Sequence, residues 1–485
     1  CVLGMVVRRE REIREFVKTP FYRILGRFAA QGHTFEGEWR ATEGSRYFQS
    51  PLLYKENGFK KREDAVTLCR ILSANEPMEA VIEKLEKKKE NKNPPLLFNL
   101  AELQNECSRL FKLSPDETLK LVQELYEKKL VTYPRTDARV LSTAVAKEIS
   151  RNLSGLTYYI HAGEFAKEIL EGKAYQNLAK TRYVNDKQIT DHYAIIPTGQ
   201  GLGALKSLSA QGEKVYEVIV RRFLSIFYPP AVYQKVSVVS VIDKERFFSS
   251  FKVLVSEGYF KVTGYSFGKK KEEENQKEEE QTADTSLLEV LQSLKKGSIL
   301  PMEKLTIKEG ETSPPKRYTS GSMILAMENA GQLIEDEELR AQIKGSGIGT
   351  SATRAEILKK LVSIQYLALN KKTQVITPTL LGEMIFDVVN ASIRSLLNPE
   401  LTASWEKGLT YVAEGSITSE EYMTKLENFI RSRTQGVLDL RNQFALKQYF
   451  DAAAPYYEKS RSKSSKTSGK KGKTSEKKVG KSTLS

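Results

Sequence analysis

"SPDETLKLVQELYEKKLVTYPRTD", residues 114–137, runs through two backbone periods in succession. Ser114 is placed to cap a helix, Pro115 suits its first turn, and Asp116 and Glu117 favour its positive end. Leu119, Val122, Leu125 and Tyr126 then repeat at helical spacing and mark the face expected to be buried. Past Val131 the pattern changes. Pro134 biases Tyr133 away from the helical region, so the Tyr-Pro-Arg-Thr-Asp run reads as a short extended segment or loop. In an extended segment, residues i and i+2 point the same way. Arg135 is therefore placed to share a phosphate with Tyr133, and Asp137 to hold Arg135. A phenol is a poor nucleophile at neutral pH until a cation stabilises the phenolate or the phosphate being attacked. Spacing alone favours the blander alternative, a core tyrosine beside a surface ion pair.

Outward from this segment the chain changes character twice. Residues 20–60 alternate, with aromatics and glycine punctuation ("FYRILGRF", "HTFEGEW"), and read as strands. From about Arg62 to Lys92 the pattern reads as helical and highly charged, until "NKNPP" (91–95) breaks it. A helical block follows from about Leu97 to Phe227. From Ala231 to Phe267 strand alternation returns ("VYQKVSVVSVI", "RFFSSFKVLV"). Two strand-rich pieces flanking a helical block imply one domain interrupted by another. Residues 300–435 read as mostly helical, with Trp405 favoured as a core residue over a nucleotide-stacking platform. The charged run at 269–281 reads as a solvated excursion.

Composition bounds the function. At 485 residues the chain has room for roughly three domains. It is 40% hydrophobic and 28% charged, as expected of a soluble folded protein. No run approaches a membrane span, so no membrane partner is expected. The chain opens on Cys1 rather than Met and is read as the downstream part of a longer protein. Three cysteines, with no CxxC pair and no Cys/His cluster, argue against a disulfide scaffold or structural zinc and suit a reducing cytoplasm. The net charge is +15, and the segment from Lys459 onward, with ten Lys/Arg and one Glu, supplies +9 of it. That segment is nearly free of apolar residues and is expected to be disordered; it is either a weak polyanion tether or a solubilising terminus.

Three further stretches offer chemistry. In "QITDHYAIIPTG" (188–199), His192, one of three histidines, stands beside Asp191 and ahead of an apolar run. It can donate to a phosphate, although a lone histidine is more often structural. In "KGSGIGTSATRAEILKKL" (344–361), glycines precede a helix that Thr350 or Ser351 can cap. Backbone amides at such a helix start can hold a phosphate, and an ordinary tight turn fits equally well. In "SPPKRYTSGSMILAMENAG" (313–331), two prolines lead Lys316 and Arg317 towards a helix, as a phosphate-positioning element or a strained linker.

Taken in order, "TYPRTD", "DHYAIIPT", "PPKRYT" and "GIGTSATRAEI" resemble the motifs of the type IA DNA topoisomerases, within them the bacterial topoisomerase III branch. "LGMVVRRERE" near the start and "PLLFNLAELQ" (95–104) add to the likeness, which runs from residue 1 to about 435. The resemblance implies a multi-domain α+β fold: a toroid in which a strand-rich arch is split by an inserted helical domain, above a mostly helical base. The parts expected are 1–19, a helix of the base; 20–95, the first part of the arch; and 96–228, the inserted domain carrying Tyr133. They continue with 229–300, the second part of the arch; 301–436, the DNA-binding base; and 437–485, a basic, largely disordered tail.

By the same resemblance, Tyr133 attacks a phosphodiester of single-stranded DNA and forms a 5′-phosphotyrosyl link. Arg135 neutralises the phosphate, and His192 holds it or relays a proton. Asp137 and Asp191 act from behind these residues. Gly347, Gly349, Thr353, Arg354, Arg317 and Gln104 contact the bound strand. Strand passage and resealing need no ATP. The expected protein is a monomer without a small-molecule cofactor. The family's Mg²⁺ site lies in an N-terminal Toprim domain; no Asp-x-Asp pair occurs here, so no metal ligand is assigned in this chain and its isolated activity is doubtful. A non-catalytic clamp on single-stranded DNA is the alternative.

Overall fold

The computed structural model describes residues 1–74, 77–189, 191–267, 285–334, 337 and 347–465. The charged run at 269–281 and the last twenty residues, 466–485, lie outside them. The chain forms two compact units, one of Glu12–Leu103 and Glu117–Lys316, the other of Cys1–Arg11, Gln104–Asp116 and Arg317–Ser485.

The first unit is built on antiparallel strands β1 (Pro20–Ala30), β2 (His33–Arg40), β3 (Leu53–Lys55), β4 (Gly58–Phe59), β5 (Glu79–Lys92), β6 (Ala231–Ile242), β7 (Glu245–Ser256) and β8 (Ile299–Glu311). The pairings β1–β2–β7–β6–β5–β8 return to β1, so six strands close on themselves, and the β3–β4 hairpin hangs from β1. Closure removes the open edges that a sheet of this size exposes. Alternate residues point inward, where Phe28 meets Phe35 and Phe247, and Phe35 meets Phe251, with ring centroids 5.5–5.7 Å apart. Trp39 is buried among them, and its indole N–H donates to the buried Glu245 carboxylate at 2.7 Å. The Ser45 hydroxyl (2.6 Å) and the Arg46 amide (2.9 Å) complete that carboxylate's coordination.

Residues 79–92 are a strand, where the sequence reads as helix to Lys92. Only Arg62–Leu72 is helical. "EAVIEKLEKKKENK" is rich in helix formers, but Ala80 and Ile82 alternate inward at its start. Its backbone is taken up by eleven registered pairs with β6 from Val81↔Val241 to Lys92↔Ala231. Long-range pairing outweighs intrinsic propensity here, as it does wherever a strand supplies a missing neighbour. The second strand-rich piece also runs further than expected, to Glu311 rather than 300, because β8 is the strand that closes the ring onto β1.

The insertion follows from the same register. Lys92 and Ala231 are cross-strand partners, so residues 93–230 leave and re-enter the sheet at one point. They include the helices Leu100–Phe111, Pro115–Glu127, Thr143–Leu156, Gly163–Glu171 and Ala210–Ser225. Arg222 ties the last of these to the entry segment, through the Leu96 carbonyl at 2.9 Å and the Phe98 ring 3.9 Å from its guanidinium.

In the second unit, Arg11 donates to Glu383 and Asp387, each at 2.8 Å, and Tyr457 donates to Glu383 at 2.6 Å. Burial raises the Asp387 carboxyl above the ordinary range despite Arg11. Tyr457 belongs to a helix, Gln443–Ser465, within the stretch expected to be largely disordered. That expectation rested on the basic composition beyond Lys459; the helix begins earlier, where Ala453 is buried and Tyr457 finds a carboxylate. Trp405 packs edge-on to Tyr422 and Phe429 in this unit. Among the described residues, no helix is long and apolar enough to cross a membrane.

Candidate active site

The helix Pro115–Glu127 stops because Lys129 turns to a positive φ of 60° and the Leu130 amide reaches back to the Leu125 carbonyl at 2.9 Å. The chain then runs extended. Pro134, Thr136, Ala138 and Val140 are buried, while Tyr133 is half-buried and Arg135 and Asp137 are exposed. The period-two reading of this segment is therefore the observed one: Tyr133, Arg135 and Asp137 share a side.

A second thread, residues 192–198, is laced to the first. Thr132 receives the Ile196 amide on its hydroxyl (2.9 Å) and donates that hydroxyl to the Ala194 carbonyl (3.0 Å). The Thr198 amide donates to the Leu130 carbonyl (3.0 Å), and the Ala194 amide to the Val140 carbonyl (3.0 Å). Ala194, Ile195, Ile196 and Pro197 are buried, so the apolar run after His192 is the anchor of this thread. Gly199 follows at φ +77° and lies so close to the helix Thr143–Leu156 that a Cβ there would meet the Asn152 carbonyl at 2.5 Å. The Thr136 hydroxyl donates to the His192 carbonyl at 2.9 Å and accepts the Ala138 amide at 3.0 Å.

This lacing brings together two residues far apart in sequence. The His192 and Tyr133 rings lie 4.3 Å apart, centroid to centroid, with planes at 41°. Tyr126 stands edge-on to Tyr133 at 5.5 Å and 82°. A cavity of about 510 Å³ opens beside them, lined among others by Lys129, Tyr193 and Gln200. Burial pushes the Tyr193 phenol up. Tyr126, expected on the buried face of its helix, is 39% exposed, while Leu130 and Val131, just past the helix end, are buried. Thr132 and Thr136 were also missed as positioning residues. Their one sequence signal is a hydroxyl at the inward-facing step of an extended run.

The supporting carboxylates do not act as expected. No hydrogen bond or ion pair joins Arg135 to Asp137; among the described residues Arg135 has none, and it is exposed. An exposed pair of this kind gains too little to hold two mobile side chains together. Asp191 is exposed and does not bond to the His192 imidazole. Arg135 and His192 consequently keep their donors for a ligand.

The strand-contact residues inferred by resemblance divide. Gly347 and Gly349 hold φ of +64° and +68°, and a Cβ on Gly347 would strike the Met327 carbonyl at 2.3 Å, so glycine is required there. Thr353, not Thr350 or Ser351, occupies the N-cap position of the helix Arg354–Ser363. Residues 350–353 form a turn closed by the Arg354 amide on the Thr350 carbonyl (3.1 Å), and Thr353 is exposed. Arg354 is 1% exposed, 3.9 Å from the Glu328 carboxylate, and so faces inward rather than towards DNA. Gln104 is equally buried, its amide on the Pro115 carbonyl at 3.0 Å. Arg317 is exposed but held by two 2.7 Å hydrogen bonds to Glu10, which raise its pKa. Residues 344–346 lie outside the described residues.

For Mg²⁺ the donor set is the test. Among the described residues no three Asp, Glu, His or Cys converge, and Glu127 is the one carboxylate lining the Tyr133 cavity. A hard cation requires several oxygen ligands. The described residues do not provide them.

Comparison with known proteins agrees with the motifs. The family model for DNA topoisomerase matches residues 1–424. DNA topoisomerase 3 of Bacillus licheniformis is 31% identical over 446 residues, covering 91% of this chain and 56% of the relative. The Bacillus subtilis DNA topoisomerase 3 is also 31% identical, at 91% and 55%. The chain thus spans about half the length of the curated relatives it matches. The structure of full-length topoisomerase I from Thermotoga maritima aligns with a TM-score of 0.60 over 89% of this chain and 61% of that one, at 24% identity, a likeness of fold.

Proposed function

Because this chain belongs to the type IA DNA topoisomerase family, we propose that Tyr133 is the nucleophile of a transient DNA break. The observation that carries this reading is the contact of Tyr133 with His192, beside an Arg135 that has no hydrogen-bond or ion-pair partner among the described residues. In the proposed step the phenol gives up its proton and its oxygen bonds to phosphorus. The bond from phosphorus to the 3′-oxygen breaks, and that oxygen takes a proton. The product is a 5′-phosphotyrosyl link and a free 3′-hydroxyl. Reversal after strand passage reseals the backbone without ATP, since one phosphodiester has replaced another.

Arg135, extended on the same side as Tyr133, neutralises the charge that develops on the phosphate, the kind of electrostatic help that dominates many such steps. His192 donates to the same phosphate or relays a proton. A single strand is the substrate we infer, because a phosphate must approach the rings closely. The turn at Gly347–Gly349 and the exposed Thr353 are proposed strand contacts in the second unit. Arg317 contributes only if it exchanges Glu10 for a phosphate.

The test supplies the acidic, Mg²⁺-binding portion of a relative in trans and traps covalent complexes with single-stranded DNA. Wild type is expected to trap a complex that Tyr133→Phe does not. Equal trapping by the two removes Tyr133 from the role of nucleophile. The lack of converging acids among the described residues favours a second reading, a non-catalytic clamp. It predicts salt-sensitive binding unchanged by Tyr133→Phe, and cleavage by the isolated chain refutes it.

A further inference from the structure

The cavity beside Tyr133 has walls that the reaction does not use. Tyr126 and Tyr133 meet at 82°. Such a pair covers at most one of its four ring faces, and Tyr126 stays 39% exposed at the end of its helix. Gln200, Tyr193 and Lys129 line this cavity, and among the described residues no hydrogen bond or ion pair engages their side-chain amide, hydroxyl and ammonium. Lys129 is turned at the helix end by its positive φ. The cavity therefore combines perpendicular aromatic faces, one amide with both donor and acceptor, one cation without a partner among the described residues, and one carboxylate, Glu127, which accepts from Gln123 at 3.2 Å, within about 510 Å³.

That combination suits a flat ligand with a π-face and a hydrogen-bonding edge, tethered to an anion. We infer that the cavity receives a nucleobase, that of a nucleotide flanking the phosphate at Tyr133. Tyr126 stacks on the base, Gln200 meets its edge, and Lys129 approaches the next phosphate. The volume lies in the range of single small-molecule sites, about 300–1,000 Å³, rather than of a groove for a run of stacked bases. Tyr126 is in this account a positioning residue: by holding the base it sets the phosphate against Tyr133 and Arg135. The inference rests on the reading of Tyr133 as the residue that meets the scissile phosphate.

The experiment measures equilibrium binding of the full chain, without added metal, to labelled single strands of about six nucleotides, short enough to limit sliding. An abasic residue replaces each base in turn. Stacking on an aromatic side chain contributes about 1–3 kcal/mol per base, or about 5- to 140-fold in affinity. For wild type, one abasic position is expected to weaken binding by such a factor. Tyr126→Ala is expected to weaken the intact strand equally and to lose its sensitivity at that position alone. Tyr126→Phe, which keeps the ring, is expected to behave as wild type and shows that the alanine result is not misfolding. Binding by Tyr126→Ala equal to wild type, or a penalty uniform over all abasic strands, overturns the base site while leaving Tyr133 as nucleophile. Failure of wild type to bind any single strand overturns both readings.

Discussion

Replacing Thr136 by Val keeps the size of a side chain that is almost fully buried and removes only its hydroxyl. In wild type that hydroxyl joins the two threads, donating to the His192 carbonyl at 2.9 Å and accepting the Ala138 amide at 3.0 Å. Loss of one ordinary hydrogen bond costs about 1 kcal/mol, and a buried amide left without an acceptor about 1–3 kcal/mol more. The expected loss is therefore about 2–4 kcal/mol, and it is local, because among the described residues the hydroxyl's hydrogen bonds are these two. Hydrogen exchange reads it directly. The amides of Ala194 and Ile195 are held by the Val140 and Phe98 carbonyls, and that of Ile196 by Thr132. If the threads separate at a cost reduced by about 2 kcal/mol, these amides exchange about thirtyfold faster, while those of β6 and β7 do not change. Thr136→Ser restores the hydroxyl and is expected to restore protection. Unchanged exchange in Thr136→Val refutes the claim that this hydroxyl sets His192 against Tyr133.

Arg135→Ala removes an exposed side chain without hydrogen-bond or ion-pair partners among the described residues, so thermal stability is expected to stay within about 0.5 kcal/mol of wild type while affinity for single-stranded DNA falls and its salt dependence shallows; a fall in melting temperature with unchanged DNA binding contradicts this. Ser45→Ala takes one donor from the buried Glu245 and is expected to cost about 1.5–3 kcal/mol, checked by chemical denaturation. Hydrogen bonds from Arg246 hold the Glu83 carboxyl below the ordinary range. A depressed folded value means that its stabilising contribution is present above the unfolded pKa and is lost as pH falls through the folded one. Melting curves of wild type and Glu83→Gln should then differ near neutrality and converge in acid. Tyr457→Phe loses the 2.6 Å hydrogen bond to Glu383 and is expected to speed proteolytic cleavage within Gln443–Ser465, read by peptide mass spectrometry.

Local physics was legible in the sequence where one period governed a whole segment. The alternation of 231–256 reads as strands because half of its residues face the interior of one sheet. The segment at 132–140 reads as extended because Pro134 biases Tyr133 away from the helical region, and in the structure the buried positions fall on every second residue from Pro134 to Val140. Residues 79–92 misled for the opposite reason. Lysine and glutamate favour a helix in isolation, and the strand exists only because β6 and β8 lie on either side of it. Side chains named by resemblance misled similarly at Gln104 and Arg354, whose types suit DNA but whose polar groups face the interior.

What the sequence by itself determined is the family and the side-sharing of Tyr133 and Arg135, a consequence of backbone period that no distant contact alters. Only the tertiary structure decided which side faces solvent, that Asp137 leaves Arg135 free, and that Tyr126 stands at the site rather than beneath it. It also decided the meeting of Tyr133 with His192, because hydrogen bonds between two threads some sixty residues apart depend on the packing of Ile195 and Ile196, which no local pattern encodes.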